Sequence, residues 1–256
     1  MDNKDSEAYD GFAKVYDLFM DNVPYEQWSE YLIDLLKEHG ADQGLVLDMA
    51  CGTGQMTRLL ARAGYEMIAV DASAQMLMAA IDHSENDPEI LYLMQDMREL
   101  ELYGTVRAVV CICDSMNYIL EEDELRDVFS LVNNYLDPEG VFIFDLNTIH
   151  KFKNILGDNT ICENREEGSF IWENDYDDES NINEYALTFF VKEKEDLYRR
   201  YEEVHYQRGY DLENMITLLK EAGMEFIAAY DAFTKEPPKE DSERIYMIAK
   251  ENGKRK

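Results

Sequence analysis

The residues that could do chemistry in this 256-residue chain begin with the stretch "LDMACGTGQMT" at 47–57. An acid, Asp48, precedes the small residues Ala50, Gly52 and Gly54, with Cys51 among them. Small residues let a backbone approach a ligand, and a helix starting after them offers free N–H groups. A second acid, Asp71, ends the next apolar run, where it can accept both hydroxyls of an adenosine ribose. These features point to an adenosine-containing ligand. A dinucleotide loop needs another glycine three residues past Gly54, but Thr57 stands there; the Gly-Lys-Ser/Thr of a P-loop is absent. Asp48 is a poor neighbour for a pyrophosphate and a good one for a cation, or it only shapes the loop as a hydrogen-bond acceptor. A third acid, Asp96, lies in "QDMREL" at 95–100, which also reads as an ordinary helix start.

Other reactive side chains are fewer. Cysteines stand at 51, 111, 113 and 162, with no CxxC pair and no histidine nearby in sequence. They read as reduced thiols, not a disulfide framework or a metal site, so no metal is expected. Cys111 and Cys113 alternate along a strand, as packing residues do. His39 and His83 end helices, and His205 lies among acids and tyrosines in a strand segment. His150 follows "DLNT" at a strand end, placed to act as a general base or to begin a solvated helix. The acidic runs 121–124 and 174–180 read as solvated surface.

The elements that must position these groups follow from the apolar period. Residues 8–39 read as helix: Tyr9, Phe12, Tyr16 and Phe19 fall on one face, Pro24 suits a first turn, and Gly40 closes a stripe from Trp28 to Leu36. Strands "LVLDMA", "EMIAVD", "EILYLMQD", "RAVVCIC" and "GVFIFDLN" then alternate with helices, one capped by Ser73 and one stopping at Asp137 and Pro138. Such alternation means parallel βαβ units covered on both faces. From about 160 to 208, "SFIWENDY", "INEYALTFFVKEKE" and "LYRRYEEVHYQRGY" read as antiparallel strands. A helix "DLENMITLLKEAG" and the strands "MEFIAAYDAF" and "ERIYMIAK" close the chain. The expected fold is α/β: a Rossmann-like, seven-stranded, mostly parallel sheet with helices on both faces, plus an antiparallel insertion after the fifth strand. It divides into an N-terminal helical cap (1–40), a core (41–150 and 209–256) and the insertion (151–208).

"VLDMACGTG" resembles the first motif of class I S-adenosylmethionine-dependent methyltransferases, commonly D/E-x-G-x-G-x-G, with Ala50 in place of its first glycine. "VDAS" (70–73) and "QDMREL" continue the resemblance, which covers roughly 45–146. It implies that the backbone around Ala50, Cys51, Gly52 and Gly54 holds the methionine part of the cofactor. It also implies that Asp71 binds the ribose, that Ala72 and Met76 pack on the adenine, and that Asp96 and the Met97 backbone meet its edge. Cys113 and Asp114 would lie near the methionine amine and sulfonium. "YDLFM" (16–20) resembles the aromatic entry segment of small-molecule members, in which Tyr16 would close over the cofactor. The 150–208 segment resembles in placement the substrate-covering insertions of glycine and amino-sugar N-methyltransferases. Its pocket candidates are Asp114, Asn117, Tyr118, Asn147, His150 and Trp172, with His150, Asp114 and Tyr16 the candidates for catalysis.

Composition narrows the partners. Lys plus Arg is 24 against 55 Asp plus Glu, a formal charge of −31, which repels nucleic acid and anionic membranes. No basic stripe is visible, apolar runs fall short of the ~18 residues of a membrane span, and the N-terminus lacks a signal-peptide apolar stretch. The expectation is a cytoplasmic enzyme using S-adenosylmethionine on a small-molecule amine or hydroxyl. A non-catalytic cofactor-binding module and a methyltransferase for RNA or protein are the alternatives. A nicotinamide dehydrogenase is disfavoured by the glycine spacing.

Overall fold

The computed structural model describes residues 19–20 and 23–254. The aromatic stripe from Tyr9 to Tyr16 lies outside the described residues. The first long helix, α1 (Tyr25–Glu38), follows Pro24 at its N-cap, and Trp28, Leu32, Leu35 and Leu36 are buried on one face.

Five parallel strands follow: β1 (Leu45–Met49), β2 (Glu66–Asp71), β3 (Ile90–Met94), β4 (Val106–Cys111) and β5 (Leu136–Asn147). Between them run α2 (Gln55–Arg62), α3 (Ala74–His83) and α4 (Glu122–Tyr135), with 3-10 turns at Met97–Glu99 and Ser115–Tyr118. Ser73 caps α3 by accepting the Met76 N–H at 3.3 Å. β5 begins four residues before the expected start and takes in Asp137 and Pro138; a shift in its register against β4 accommodates the missing proline N–H.

A π-helical turn (Lys151–Leu156) leads into four antiparallel strands: β6 (Thr160–Asn164), β7 (Gly168–Asp177), β8 (Ile182–Lys194) and β9 (Leu197–Arg208). β6 is a strand more than the three expected. Then come α5 (Leu212–Glu221), β10 (Met224–Asp231) and β11 (Arg244–Glu251). The large sheet has the order β3-β2-β1-β4-β5-β11-β10, and β11 is antiparallel to both neighbours. This is the seven-stranded Rossmann-like arrangement.

Two cores form because strand residues alternate between faces. Leu47, Val109, Phe142, Phe144 and Met247 pack under α4 and α5; Val46, Ala108, Val110, Ile143 and Ile248 pack under α1 and α2. The central strands β1, β4 and β5 are therefore apolar on both sides, which is why they read as continuous runs. Strand order reverses beside β1, where β2 leads one way and β4 the other, and a crevice opens at the carboxyl ends there.

Candidate active site

The turn after β1 is left-handed at every second residue: Ala50, Gly52 and Gly54 have φ of 61°, 55° and 72°. Ala50 thus adopts a conformation that disfavours a Cβ by roughly 1–2 kcal/mol. The Asp71 carboxylate ties this turn to the end of β2. Its Oδ2 accepts the Gly52 N–H and its Oδ1 the Ser73 N–H, each at 2.8 Å. Burial pushes the Asp71 carboxyl above its ordinary range, and these two backbone bonds oppose the rise. A carboxylate has further lone pairs, so it can still accept ribose hydroxyls.

Asp48 is buried at the end of β1, where it accepts the Thr57 hydroxyl at 2.5 Å; burial pushes its pKa up to about 6. It is both a structural acceptor and part of the wall of a cavity of about 550 Å³. That wall brings together Ala50, Cys51, Gly52, Asp71, Ala72, Met76, Asp96, Met97, Cys113 and Tyr118 of the expected residues. Gly54 stands behind it, as the N-cap of α2. Asp96 accepts the Arg98 N–H at 2.9 Å and pairs with the Arg98 guanidinium at 2.6 Å, which holds its carboxyl below the usual range. Burial pushes the thiols of Cys51 and Cys113 up, so neither is poised as a nucleophile.

Several expected site residues are engaged elsewhere. Asp114 is left-handed at φ 54° and turns its carboxylate to Arg244 (2.5 Å) and Gln207 (2.7 Å). Arg244 also pairs with fully buried Asp145, joining β11 and β5 to the turn after β4. Asn117 donates to the carbonyls of Asn147 (3.0 Å) and Arg208 (2.8 Å) and accepts the Asn147 N–H (2.9 Å); the Asn147 side chain accepts from Lys151 at 2.9 Å. Through these bonds Asn117 ties the end of β5 to the end of β9. His150 is outside the cavity wall, its Nδ1 3.1 Å from the Asn154 amide. Tyr16 lies outside the described residues.

The wall also contains Tyr25, Arg98, Ser115, Ile119 and His205, which were not among the expected site residues. His205 arrives from β9, across from Tyr185 on β8. Their rings stack at 5.4 Å, the Tyr118 ring meets His205 edge-on at 5.9 Å, and the Tyr118 and Tyr185 hydroxyls lie 2.8 Å apart. Trp172 joins this group through Tyr185 at 5.4 Å, one layer behind the wall. The signal that could have found His205 is the alternation Glu203, His205, Gln207, which puts three polar side chains on the inner face of a strand.

An acid at the end of β2, backbone turned towards a crevice, and apolar Met76 and Met97 suit an adenosine. The carboxylates of Asp48 and Asp71 suit a cation beside it. Residues 46–140 match the methyltransferase domain family. The chain is 36% identical to a putative methyltransferase of Geobacillus sp. strain WCH70 over 246 residues, covering 95% of this chain and 99% of that one. A solved S-adenosylmethionine-dependent methyltransferase from Clostridium acetobutylicum superposes with a TM-score of 0.86 at 31% identity, covering 96% of this chain and 99% of the other. Over 148 residues, 56% of this chain and 54% of the relative, it is 31% identical to the glycine/sarcosine N-methyltransferase of Halorhodospira halochloris. The chain belongs to the class I S-adenosylmethionine-dependent methyltransferases.

Proposed function

We propose that this enzyme methylates the nitrogen of a small-molecule amine. The observation that carries this reading is the composition of one cavity: the cofactor turn after β1 forms one side, and Tyr118 with His205 forms another. The carboxylates at 48, 71 and 96 and the aromatic rings favour cations, both the sulfonium and an amine that arrives protonated. The similarity to a glycine/sarcosine N-methyltransferase supports nitrogen over oxygen as the acceptor atom.

Backbone at 50–54, Asp71, Met76 and Met97 would hold the cofactor, which supplies a methyl group on sulfur that leaves its bonding pair behind when the acceptor's lone pair takes the carbon. The chain's part is to align that lone pair and exclude water, an effect on the order of 7–11 kcal/mol in well-oriented reactions. The 151–208 segment acts as the substrate cover over the core formed by 41–150 and 209–256, with α1 (Tyr25–Glu38) as the helical cap. The test is S-adenosylhomocysteine formation with a panel of alkylamines, amino acids and amino sugars beside their hydroxyl counterparts. Turnover of amines with none for the hydroxyl compounds is expected. Turnover confined to hydroxyl compounds would refute the reading.

A further inference from the structure

We infer that the free edge of β9 is a docking surface for a second copy of this chain, paired antiparallel about Tyr201. β9 is the last strand of the four-stranded sheet, and among the described residues its outer edge pairs with no strand. Such an edge offers a row of backbone N–H and C=O groups to another strand, and shortness, Pro or Lys usually blunts it. The other edge strands follow that rule of shortness: β3 and β6 run five residues and β10 eight. β9 runs twelve, with neither Pro nor Lys in "LYRRYEEVHYQR". The turn after β4 bonds to it at its end, through Gln207 and Arg208. Along the rest, Leu197, Tyr198 and Val204 present exposed apolar or aromatic side chains.

The residues along this edge match their own copy. Counting outwards from Tyr201, an antiparallel pair sets Arg200 opposite the partner's Glu202 and Tyr198 opposite the partner's Val204 on the outer face. On the inner face it sets Arg199 opposite the partner's Glu203. Two-fold symmetry makes every one of these contacts twice. Directly opposite side chains lie roughly 4.5–5.5 Å apart at Cβ, where opposite charges and aromatic–β-branched pairs attract and like charges repel. Arg200 meets Glu202 along its own strand at 2.6 Å, with both side chains more than half exposed. An exposed pair of this kind is worth little by itself, and both groups keep further donors and acceptors for a facing strand. Charge also favours this edge over the rest of the surface. The chain carries −31, yet 197–208 holds three arginines against two glutamates, so two copies meet here without the repulsion their other faces share. The same register sets the partner's Leu197 across from His205, which brings the hairpin tip of one copy to the cavity wall of the other.

Sedimentation velocity on the full-length chain, from about 1 to 100 μM, tests this. The wild type should reach twice the chain mass within that range. Arg200→Glu and Glu202→Arg each put like charges opposite one another, and each should weaken self-association at least about tenfold. Mixed in equal amounts, these two variants again set opposite charges across the pair. Heterodimers should then form at least about tenfold more tightly than either variant's homodimer. Both substitutions in one chain exchange the charges, and that double variant should associate as the wild type does. A wild type that stays monomeric, a dimer that either single variant leaves unchanged, single variants that fail to associate when mixed, or a monomeric double variant would overturn the inference. The wild-type measurement needs no variant, and both altered side chains are solvent-exposed, so misfolding would not protect the idea.

Discussion

Asp71→Asn keeps the shape of the side chain and removes half of its function. In the wild type both carboxylate oxygens accept backbone N–H groups at 2.8 Å, from Gly52 and from Ser73. Asparagine offers one acceptor, and its amide nitrogen would face a second donor. One bond to a charged group, worth about 1.5–3 kcal/mol, is lost outright. The other becomes neutral and loses roughly half its strength, for a total of about 2–4 kcal/mol. Gly52 lies in the left-handed turn that forms the cavity wall, so the loss falls on the geometry that the cofactor must meet. At 1.4 kcal/mol per tenfold, binding of S-adenosylhomocysteine should weaken roughly 30- to 800-fold. Isothermal calorimetry measures this, and thermal unfolding shows whether the variant is folded. Affinity within about threefold of wild type in a folded variant would refute the claim that this carboxylate holds the turn.

Other perturbations separate the remaining parts of the argument. Gly54→Ala would place a Cβ 3.0 Å from the Ala80 Cβ and 3.1 Å from the Tyr92 hydroxyl at φ +72°, whereas Gly52→Ala meets nothing within 4 Å at φ +55°. Denaturant unfolding should show a loss of about 2–5 kcal/mol for Gly54→Ala and about 1–2 kcal/mol for Gly52→Ala. Arg244→Met leaves Asp145 buried without its cation, and about 3–5 kcal/mol, or roughly 6–20 °C in Tm by circular dichroism, should be lost. For Asp48, the folded pKa of about 6 lies above the ordinary value of 3.8, so the native state keeps a proton that the unfolded chain releases. Its contribution is fully present below pH 3.8 and is lost as pH rises towards 6. Asp48→Asn should therefore gain stability relative to wild type between pH 4 and 6, by about 1–3 kcal/mol, in denaturant curves run at both ends; a flat difference would contradict the burial of this acid.

What the sequence determined by itself was local. Asp48, the small residues at 50–54, Asp71 and Asp96 mark the ends of β1, β2 and β3, because each of these strands reads as an apolar run whose end is visible. Ser73 was legible as a cap because its partner is three residues away. The far side of the cavity was not legible, because the contacts of Asn117 and Asp114 join residues far apart in the chain. Asn117 and Asp114 have polar side chains near strand ends, yet Arg208, Gln207 and Arg244 engage them only once β9 and β11 are in place. His150 and His205 are chemically alike in sequence. Local helical spacing turned one to Asn154, and tertiary structure put the other on the cavity wall, where β9 brings it against Tyr118 of the turn after β4. Which histidine reaches the cavity wall is decided by strand register, and register depends on pairings between strands that local sequence does not specify.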